Sequence, residues 1–489
     1  MSNVPNVVNV LKFKPRFRHQ DEATNLDSTG HKDREGFVVV EINPGKRYKL
    51  EAQILSVPTT LIWEFSTQDL DIAFSATFFP QNPSAAPLAI RELRRVKCNV
   101  VARIGQFSFR EPGSIHLVWD NRYSRLRKKV LYFRIYQAHG SLLKATSTKH
   151  FFNSPEYKAM ERMHKWWENA VEEQKRRERW DRCLNYCKEL REELKRLSKN
   201  ERAFCWLHNS RALYKRCQLP DKYYFNLKLK INAILTPTER TLIEKDVGRT
   251  FPSIFDKSQR NTLRMVLQCY AMRFHRRNNA VGYTQGMNFL AGIALLAGLR
   301  EEHCFWLLTT ITENWCRYFD VNLTNLKIDL QVVNDLLFKH VPRAMKHLHR
   351  LKCPIEWFIS SMLICSFSNT LPVKLLFYFW DLMFMVREPV GVFAAVLCFM
   401  KTVEEKILKL KTVGQCMEFF AKELDVWRKD DSEQSISHFM DLTIFWILQL
   451  LDEDIGSLRE VAKEKIAMAT AALPRPSIRR PMHDQQSVI

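Results

Sequence analysis

The hydrophobic periodicity of the chain changes once, from a strand-like pattern to a helical one. Short runs rich in β-branched and aromatic residues fill positions 37–137, and from about position 154 apolar residues recur at helical spacing. A run of strands followed by a run of helices predicts a multidomain chain, with an N-terminal all-β domain and a C-terminal all-α domain.

Glycine is scarce in this chain. It accounts for 14 of 489 residues, about 3%, compared with a usual share of about 7%. Because turns with positive φ angles depend largely on glycine, a chain with few glycines has few obligatory turns. This composition favours a mostly helical protein, and the length suffices for two or three domains.

The N-terminal domain is predicted to contain about seven short strands. Their sequences are GFVVVEI, RYKLEAQIL, LIWEF, DIAFSATFF, VKCNVVARI, SIHLVWD and KKVLYFRIYQ. Clusters of turn residues such as NPGK, QNPSAAP and EPGS separate them. Strands of this number and spacing predict a β-sandwich.

Three further segments and one large domain complete the predicted organisation. Residues 1–36 are polar and aperiodic and are predicted to form a flexible arm. Residues 154–199 combine dense mixed charge with apolar residues at helical spacing and are predicted to form a charged helical linker. This linker could be a rigid spacer, an arm packed on the next domain or a coiled coil. Residues 200–460 are predicted to form the all-α domain, and the Pro-rich, basic segment 473–489 a disordered tail.

The cysteines predict neither a metal site nor disulfide bonds. Twelve are present, and none lies in a C-x-x-C pair. Cys183 and Cys187 are one helical turn apart, but no further Cys or His lies at zinc-ligand spacing. Most of the others lie in apolar runs, where a free cysteine packs as a small hydrophobic residue. This usage predicts a reducing, cytoplasmic compartment.

No segment of the sequence is predicted to cross a membrane. The first residues lack the apolar stretch of a signal peptide. The longest apolar window, 355–386, is interrupted by Asn369, Pro372, Lys374 and Asp381, whereas a spanning helix needs about 20 apolar residues. Any membrane contact is therefore expected to be peripheral.

The chain is strongly basic, with 75 Lys and Arg residues, 53 Asp and Glu residues and a net charge of +22. This charge would suit an anionic membrane surface, an acidic protein or nucleic acid, and a solvated basic surface stays open as well. RRM, KH, zinc-finger and basic-zipper signatures are absent, and no basic stripe is interleaved with aromatic residues. The sequence therefore predicts no nucleic-acid partner.

Two short segments carry the most specific pattern in the chain. Residues 243–252 read I-E-K-D-V-G-R-T-F-P, and residues 283–287 read Y-T-Q-G-M. They resemble the two signature boxes of the TBC domain, I-x-x-D-x-x-R-T and Y-x-Q-G-M, in the order and at the spacing typical of that family. Upstream, Arg202 and Trp206 resemble its R-x-x-x-W element, and the resemblance extends over about 200–410.

The resemblance implies a GTPase-activating protein for a Rab-type GTPase. TBC proteins supply an arginine finger and a glutamine finger to the nucleotide site of the GTPase, and Arg249 and Gln285 occupy these positions. An arginine delivered in trans neutralises charge on the transferring phosphoryl group. An amide both donates and accepts hydrogen bonds, so a glutamine can position the attacking water.

The neighbours of both fingers are expected to support them. Asp246 lies one helical turn before Arg249 and would orient the guanidinium. The other expected contributors are Thr250, Tyr283, Gly286 and Met287 beside the fingers, with Arg202 and Trp206 as structural residues. Trp357 and Phe358 are predicted to belong to the core. Many TBC domains carry Ser-Gly-Ala after the tryptophan helix, whereas here Arg211 replaces the glycine.

The N-terminal domain resembles the GOLD domain, a β-sandwich found in Golgi-trafficking proteins. The resemblance rests on LIWEF, DIAFSATFF and PGSIHLVWDNRYSRLRKKVLYFRI within 37–137. A basic cluster between two of its predicted strands is a candidate for binding lipid headgroups, and a solvated loop is the alternative. Its members are Arg122, Arg125, Arg127, Lys128 and Lys129.

The resulting hypothesis is a Rab GTPase-activating protein built from a GOLD-like β-sandwich, a charged helical linker and an all-α TBC domain. It would catalyse no independent reaction and need no cofactor, because GTP and Mg²⁺ belong to the partner GTPase. It would be cytoplasmic and recruited peripherally to Golgi or endosomal membranes. The alternatives are a non-catalytic Rab-binding effector and a trafficking adaptor acting through the GOLD-like domain.

Overall fold

A computed structural model provides the structure of the chain. It describes residues 37–55, 57, 59–99, 102–139, 154–176, 180–217, 219–220, 222–274, 282–315, 317–320, 322–386 and 389–471. The predicted arm at 1–36 and the predicted tail at 473–489 lie outside the described residues.

The N-terminal domain is an antiparallel β-sandwich, as predicted. Its eight strands within the described residues are β1 (Val38–Ile42), β2 (Arg47–Ile54), β3 (Thr59–Thr67), β4 (Asp71–Pro80), β5 (Leu88–Lys97), β6 (Arg103–Phe109), β7 (Gly113–Asp120) and β8 (Lys129–His139). One sheet has the strand order β1-β8-β3-β6 and the other β2-β7-β4-β5.

Aromatic side chains from both sheets form the core of the sandwich. Phe65 of β3 lies edge-on to Trp119 of β7, with ring centroids 5.7 Å apart, and 4.5 Å from the ring of Phe74 of β4. Each of these three side chains is at most 1% exposed. Burial alternates along β7, as expected for a strand with one face on a core.

The structure has one strand more than the seven predicted. The prediction of a single strand over V-K-C-N-V-V-A-R-I was wrong, because β5 ends at Lys97 and β6 begins at Arg103. β5 lies at the edge of its sheet, and four of its ten residues are both exposed and charged, as is common on edge strands. It therefore lacks the alternating apolar pattern by which a strand is found in a sequence.

The described residues that follow the sandwich are all-α, as predicted, with a π-helical turn at Ile311–Trp315. The seventeen α-helices within the described residues are α1 (Pro155–Arg176), α2 (Trp180–Arg196), α3 (Lys199–Asn209), α4 (Ala212–Cys217), α5 (Tyr223–Ile234), α6 (Pro237–Arg249), α7 (Lys257–Phe274), α8 (Met287–Leu296), α9 (Glu301–Thr310), α10 (Thr324–His340), α11 (Pro342–Arg350), α12 (Glu356–Ile364), α13 (Val373–Val386), α14 (Val390–Ile407), α15 (Val413–Lys429), α16 (Glu433–Leu450) and α17 (Ile455–Ala471). Residues 390–400 of α14 are all buried, which places this helix inside the domain.

Helices α1 and α2 cover most of the charged segment 154–199 and pack on the helices that follow. Met163 and Trp167 of α1, and Leu190 and Leu194 of α2, belong to the same core cluster as the later helices and are each at most 2% exposed. Besides its many charged residues, this segment therefore has an apolar stripe, which packs into the core of the helical domain.

Ion pairs join the sandwich to α1. Arg103 of β6 contacts Glu168 at 2.6 Å, and Lys97 of β5 contacts Glu172 at 2.9 Å. The two glutamates are four positions apart and therefore lie on one face of the helix. Part of the positive charge of the β domain thus holds the two domains together.

Arg211, which precedes α4, makes a second contact between the domains. Its φ angle is 68°, in the left-handed region that favours glycine. Its guanidinium lies 3.0 Å from the carboxylate of Glu64 in β3, which is 2% exposed and also pairs with Arg134 at 2.8 Å. The arginine therefore adopts a strained backbone conformation and binds the β domain through its side chain.

The buried carboxylate of Asp381 connects α13 to α3. It accepts hydrogen bonds from the Arg202 guanidinium at 2.9 Å and from the Trp206 indole N–H at 2.6 Å. Burial raises the pKa of Asp381 to about 6, although both partners favour the charged form. Trp206 also packs on Trp380, with ring centroids 5.3 Å apart. In this structure Arg202 and Trp206 therefore hold two helices of the core together.

Replacing Arg202 by alanine is expected to lower the free energy of unfolding by about 3–5 kcal/mol, because the Asp381 carboxylate would lose its charged partner in the interior. Urea denaturation of the full chain measures the change. Arg343→Ala is the control, because Arg343 pairs with Glu405 where both side chains are more than half exposed. That variant should change the free energy by at most about 0.5 kcal/mol. Equal effects of the two variants would contradict the prediction.

Candidate functional site

Helix α6 presents Arg249 at its C-terminal end. The helix begins at Pro237, after a capping box in which the Thr236 hydroxyl accepts the Glu239 N–H and the Glu239 carboxylate accepts the Thr236 N–H. This arrangement satisfies two of the unpaired amides of the first turn. Arg249 lies in the last turn, where the helix dipole favours a positive charge, and its side chain is 45% exposed.

A buried carboxylate holds the guanidinium of Arg249. One oxygen of Asp246 lies 2.6 Å from Arg249 Nη2, and the other accepts a hydrogen bond from the Tyr283 hydroxyl. Burial and the nearby Asp246 raise the pKa of Tyr283, so this phenol keeps its proton and remains a donor. The first signature segment is thus joined to the second by a hydrogen bond between buried groups.

Gln285 lies in the short loop that precedes α8. The side chain is exposed, and no hydrogen bond to it is found within the part of the chain that the structure describes. The next residue, Gly286, has a φ angle of 106°, and a Cβ atom there would lie 3.0 Å from Ile364 Cγ2. The loop therefore needs glycine at this position both for its backbone conformation and for its packing on α12.

The side-chain amide of Asn288 connects the two loops. Its oxygen accepts the Gly286 N–H at 3.0 Å, and its nitrogen donates to the Thr250 hydroxyl at 2.8 Å. The Thr250 hydroxyl in turn donates to the Asp246 carbonyl oxygen at 2.6 Å. The residue after Gln285 is thereby linked to the residue after Arg249 through a fully buried amide.

Sequence reasoning missed Asn288. The only available signal was its position, because it directly follows Met287 at the end of the second segment. Met287 itself is buried, and its sulfur accepts the Thr284 N–H at 3.5 Å, which packs the glutamine loop on α8.

The turn after Arg249 is strained and tightly packed. Phe251 has a φ angle of 43°, which is unusual for a non-glycine residue. Its ring packs on Phe289 of α8 at 6.0 Å. A Cβ atom at Gly292 would lie 2.8 Å from Thr250 Cγ2 and 2.9 Å from Phe251 Cε2. Gly292, which sequence reasoning also missed, therefore allows this turn to approach α8.

Cys365 lies close to the same site. Burial raises the pKa of its thiol to about 12, although Arg249 acts in the opposite direction. The thiol therefore stays neutral, and Asp246 is the carboxylate that balances the charge of Arg249.

Other residues singled out from the sequence lie elsewhere. Arg202 and Trp206 bind Asp381 and take no part in the hydrogen bonds around Asp246 and Asn288 that the described residues show. The prediction that Trp357 belongs to the core was wrong, since its side chain is 57% exposed. Phe358 is buried as predicted.

The basic cluster of the β domain is only partly available to a ligand. Arg122 pairs with Asp120 at 2.6 Å and Lys128 with Glu41 at 3.0 Å, although Arg122 and Lys128 remain exposed, as do Arg125 and Arg127. Lys129 is 3% exposed and lies 3.8 Å from Asp71, so it cannot reach a surface ligand. Leu126, in the middle of the cluster, is 92% exposed.

Neither a metal site nor a membrane span is found in the described residues. They contain no group of three His, Cys, Asp or Glu side chains placed to hold a metal ion. Their helices are all too short or too polar to span a bilayer.

Known proteins resemble the part of the chain that contains the two signature segments. Residues 173–408 match the family model of the Rab-GTPase-TBC domain. Growth hormone-regulated TBC protein 1 of Homo sapiens is 30% identical over 222 residues, which cover 45% of this chain and 65% of that protein. TBC1 domain family member 2A of Mus musculus is 32% identical over 238 residues, which cover 47% of this chain and 25% of that protein. The chain thus spans less than two thirds of the length of either relative.

Among solved structures, the Chlamydomonas flagellar RabGAP TBC domain aligns with 21% sequence identity and a TM-score of 0.45. The alignment covers 60% of this chain and 94% of that one.

Replacing Gly286 by alanine is expected to lower the melting temperature, because a positive φ costs an L-residue about 1–2 kcal/mol and the new methyl group would press on Ile364. Gly248→Ala is the matched control, since a Cβ atom at Gly248 in α6 would meet no atom within 4 Å outside its own stretch of helix. That variant should stabilise the chain by about 0.5–1 kcal/mol through the helix preference of alanine. Thermal unfolding of both variants measures the difference, and a shift of the same sign in both would contradict it.

Proposed function

We propose that this chain, in which residues 173–408 form a Rab-GTPase-TBC domain, is a GTPase-activating protein that inserts Arg249 and Gln285 into the nucleotide site of a Rab GTPase. One observation carries the proposal. Both side chains are exposed, while the segments that carry them are joined by buried hydrogen bonds of Asn288 and Tyr283. Such an arrangement presents two polar groups to a partner in a fixed relation.

Arg249 is suited to stabilise the transition state of phosphoryl transfer. Its guanidinium is permanently charged and offers five N–H donors, of which the contact with Asp246 uses only some. The Arg249 side chain is 45% exposed, so the N–H donors that do not face Asp246 can reach a phosphate while the contact with the buried carboxylate is kept. An arginine supplied in trans accelerates GTP hydrolysis by about 10³–10⁵-fold.

Gln285 is suited to position the attacking water. Its amide oxygen can accept a hydrogen bond from the water while its NH₂ group donates one to a neighbouring oxygen. The exposed side chain stands on a loop whose backbone is fixed on both sides, by Tyr283 and by Gly286. Preorganised groups of this kind lose little entropy on reaching the transition state.

Asp246 is proposed as a positioning residue for Arg249. It is 2% exposed and receives the Tyr283 hydroxyl, so its carboxylate has a fixed place from which to hold the guanidinium. The chain itself would bind neither GTP nor Mg²⁺ and would catalyse no reaction alone, because both belong to the GTPase.

Single-turnover GTP hydrolysis by a panel of Rab GTPases tests the proposal with the full chain. The wild type is expected to accelerate at least one GTPase by about 10³-fold or more, and Arg249→Ala and Gln285→Ala should each remove most of this effect. Arg343→Ala, a remote exposed arginine, is the control and should keep full activity.

The alternative of a Rab-binding effector predicts a different result. Binding of GTP-loaded GTPases by the wild type, without acceleration of hydrolysis by any of them, would remove the catalytic proposal and favour the effector.

A membrane-binding role for the β domain is a second candidate function, favoured by the exposure of Leu126. Leu126 lies between Arg125 and Arg127 in the sequence, and these exposed basic residues could meet anionic headgroups. An exposed apolar side chain flanked by basic residues matches the interface of a charged bilayer. We extend the proposal to a GOLD-like role for this domain. We also propose peripheral recruitment of the protein from the cytoplasm to Golgi or endosomal membranes. The corresponding alternative is a trafficking adaptor that acts through the GOLD-like domain.

Flotation of the full chain with phosphatidylserine vesicles tests this role. Leu126→Ser should weaken binding by about tenfold or more, because burying a leucine side chain contributes about 1.5–3 kcal/mol. Leu55→Ser is the matched control, since Leu55 is 83% exposed and follows Ile54, which pairs with Gly113 at the other end of β7. Equal binding to neutral and anionic vesicles, or equal effects of the two substitutions, would remove the membrane role.

A further inference from the structure

Helix α12 has one buried face and one outward face. Phe358, Ile359, Met362 and Leu363 are buried. The outward stripe consists of the exposed Trp357 and the half-buried Ser360, Ser361 and Ile364, which are spaced as residues on one side of a helix. This stripe carries no charged side chain.

Trp357 is exceptional in its exposure. Its side chain is 57% exposed, and it is the only exposed tryptophan among those whose side chains the structure describes. A tryptophan can bury about 150–250 Å² of surface and is enriched among residues that dominate binding energy at protein interfaces. Nothing in the fold of the described residues requires an indole at this outward position.

The stripe leads from Trp357 to the glutamine loop. At its other end, Ile364 Cγ2 is 3.0 Å from the Cβ position of Gly286, which directly follows Gln285. Trp357 and Ile364 are two helical turns apart, or about 10 Å along the helix axis. A partner of ordinary size covers about 800 Å² of the surface it binds, a disc of roughly 16 Å radius, so one partner could cover both places.

Two more exposed apolar side chains lie beside Arg249 in the sequence. Leu242 is 41% exposed and lies two helical turns before Arg249 on the same side of α6. Ile254 is 48% exposed in the turn that follows Thr250. Apolar side chains are thus exposed on three elements, α6, α12 and the turn after Thr250, each of which carries or contacts a residue in or beside a proposed finger.

We propose that Trp357 anchors the GTP-bound Rab GTPase, filling an apolar depression beside the partner's nucleotide site. This inference rests on the proposed function, because it takes its occupant from the position of Arg249 and Gln285. A GTPase whose nucleotide receives both side chains must cover the adjoining surface, and an uncharged stripe with one large aromatic residue has the composition of an interface centre. The outward stripe of α12 would then determine affinity, whereas Arg249 and Gln285 would determine the rate of the chemical step.

Single-turnover kinetics at varied concentrations of the full chain separate these two roles. Trp357→Ala is expected to raise the concentration needed for half-maximal acceleration by at least about tenfold and to leave the maximal rate within about twofold, and Trp357→Phe should recover part of the loss. Arg249→Ala should instead lower the maximal rate. Val426→Ala is the control, because Val426 on α15 is 55% exposed and should leave both quantities unchanged.

Direct binding of GTPases loaded with a non-hydrolysable GTP analogue keeps this inference distinct from the proposed function. Weaker binding by Trp357→Ala, with unchanged thermal unfolding, supports the docking role even if the wild type accelerates no hydrolysis. Acceleration by the wild type with unaltered affinity and half-maximal concentration in Trp357→Ala would overturn the docking role and leave the catalytic proposal intact. Failure of every GTPase in the panel to bind the wild type would overturn both.

Discussion

The buried amide of Asn288 is the interaction on which the geometry of the candidate site depends. It binds the backbone beside Gln285 with its oxygen and the hydroxyl of Thr250, beside Arg249, with its nitrogen. A buried polar group that loses its partner is costly, so the two loops cannot separate without breaking these hydrogen bonds. The second link, from Tyr283 to Asp246, restrains the same pair of segments. Residues far apart in the chain are thereby held in one spatial relation.

The site combines a rigid base with exposed functional groups. Phe251 adopts an unusual backbone conformation, and Gly292 allows the turn that contains it to lie close to α8. Strain of this kind persists only where the surrounding structure over-determines the conformation, and it is often found at functional sites. Arg249 and Gln285 project from this base toward solvent, where a partner can reach them. The arrangement fits a protein that completes the active site of another protein.

Charged residues join the two domains of this chain, in addition to their proposed role in binding a membrane or a protein partner. Arg103 and Lys97 of the sandwich pair with glutamates of α1, and Arg211 reaches the buried Glu64. Arg211 has a left-handed backbone conformation, and its side chain adds a contact between the domains. The positive charge left on the surface, which includes the loop around Leu126, is the part available to a membrane or a protein partner.

The sequence by itself determined the two-part architecture and the position of both proposed fingers. Period and composition indicate which segments form strands and helices, and the resemblance of the two short motifs to the TBC signature boxes is what points to Arg249 and Gln285. The edge strand β5 was not predicted as a separate strand, because its exposed charged residues interrupt the alternation of apolar and polar residues. Only the tertiary structure decided that Asn288 joins the two loops, that Lys129 is buried and that Trp357 is exposed. These properties depend on which distant segments lie against each residue, and no local pattern of residues contains that information.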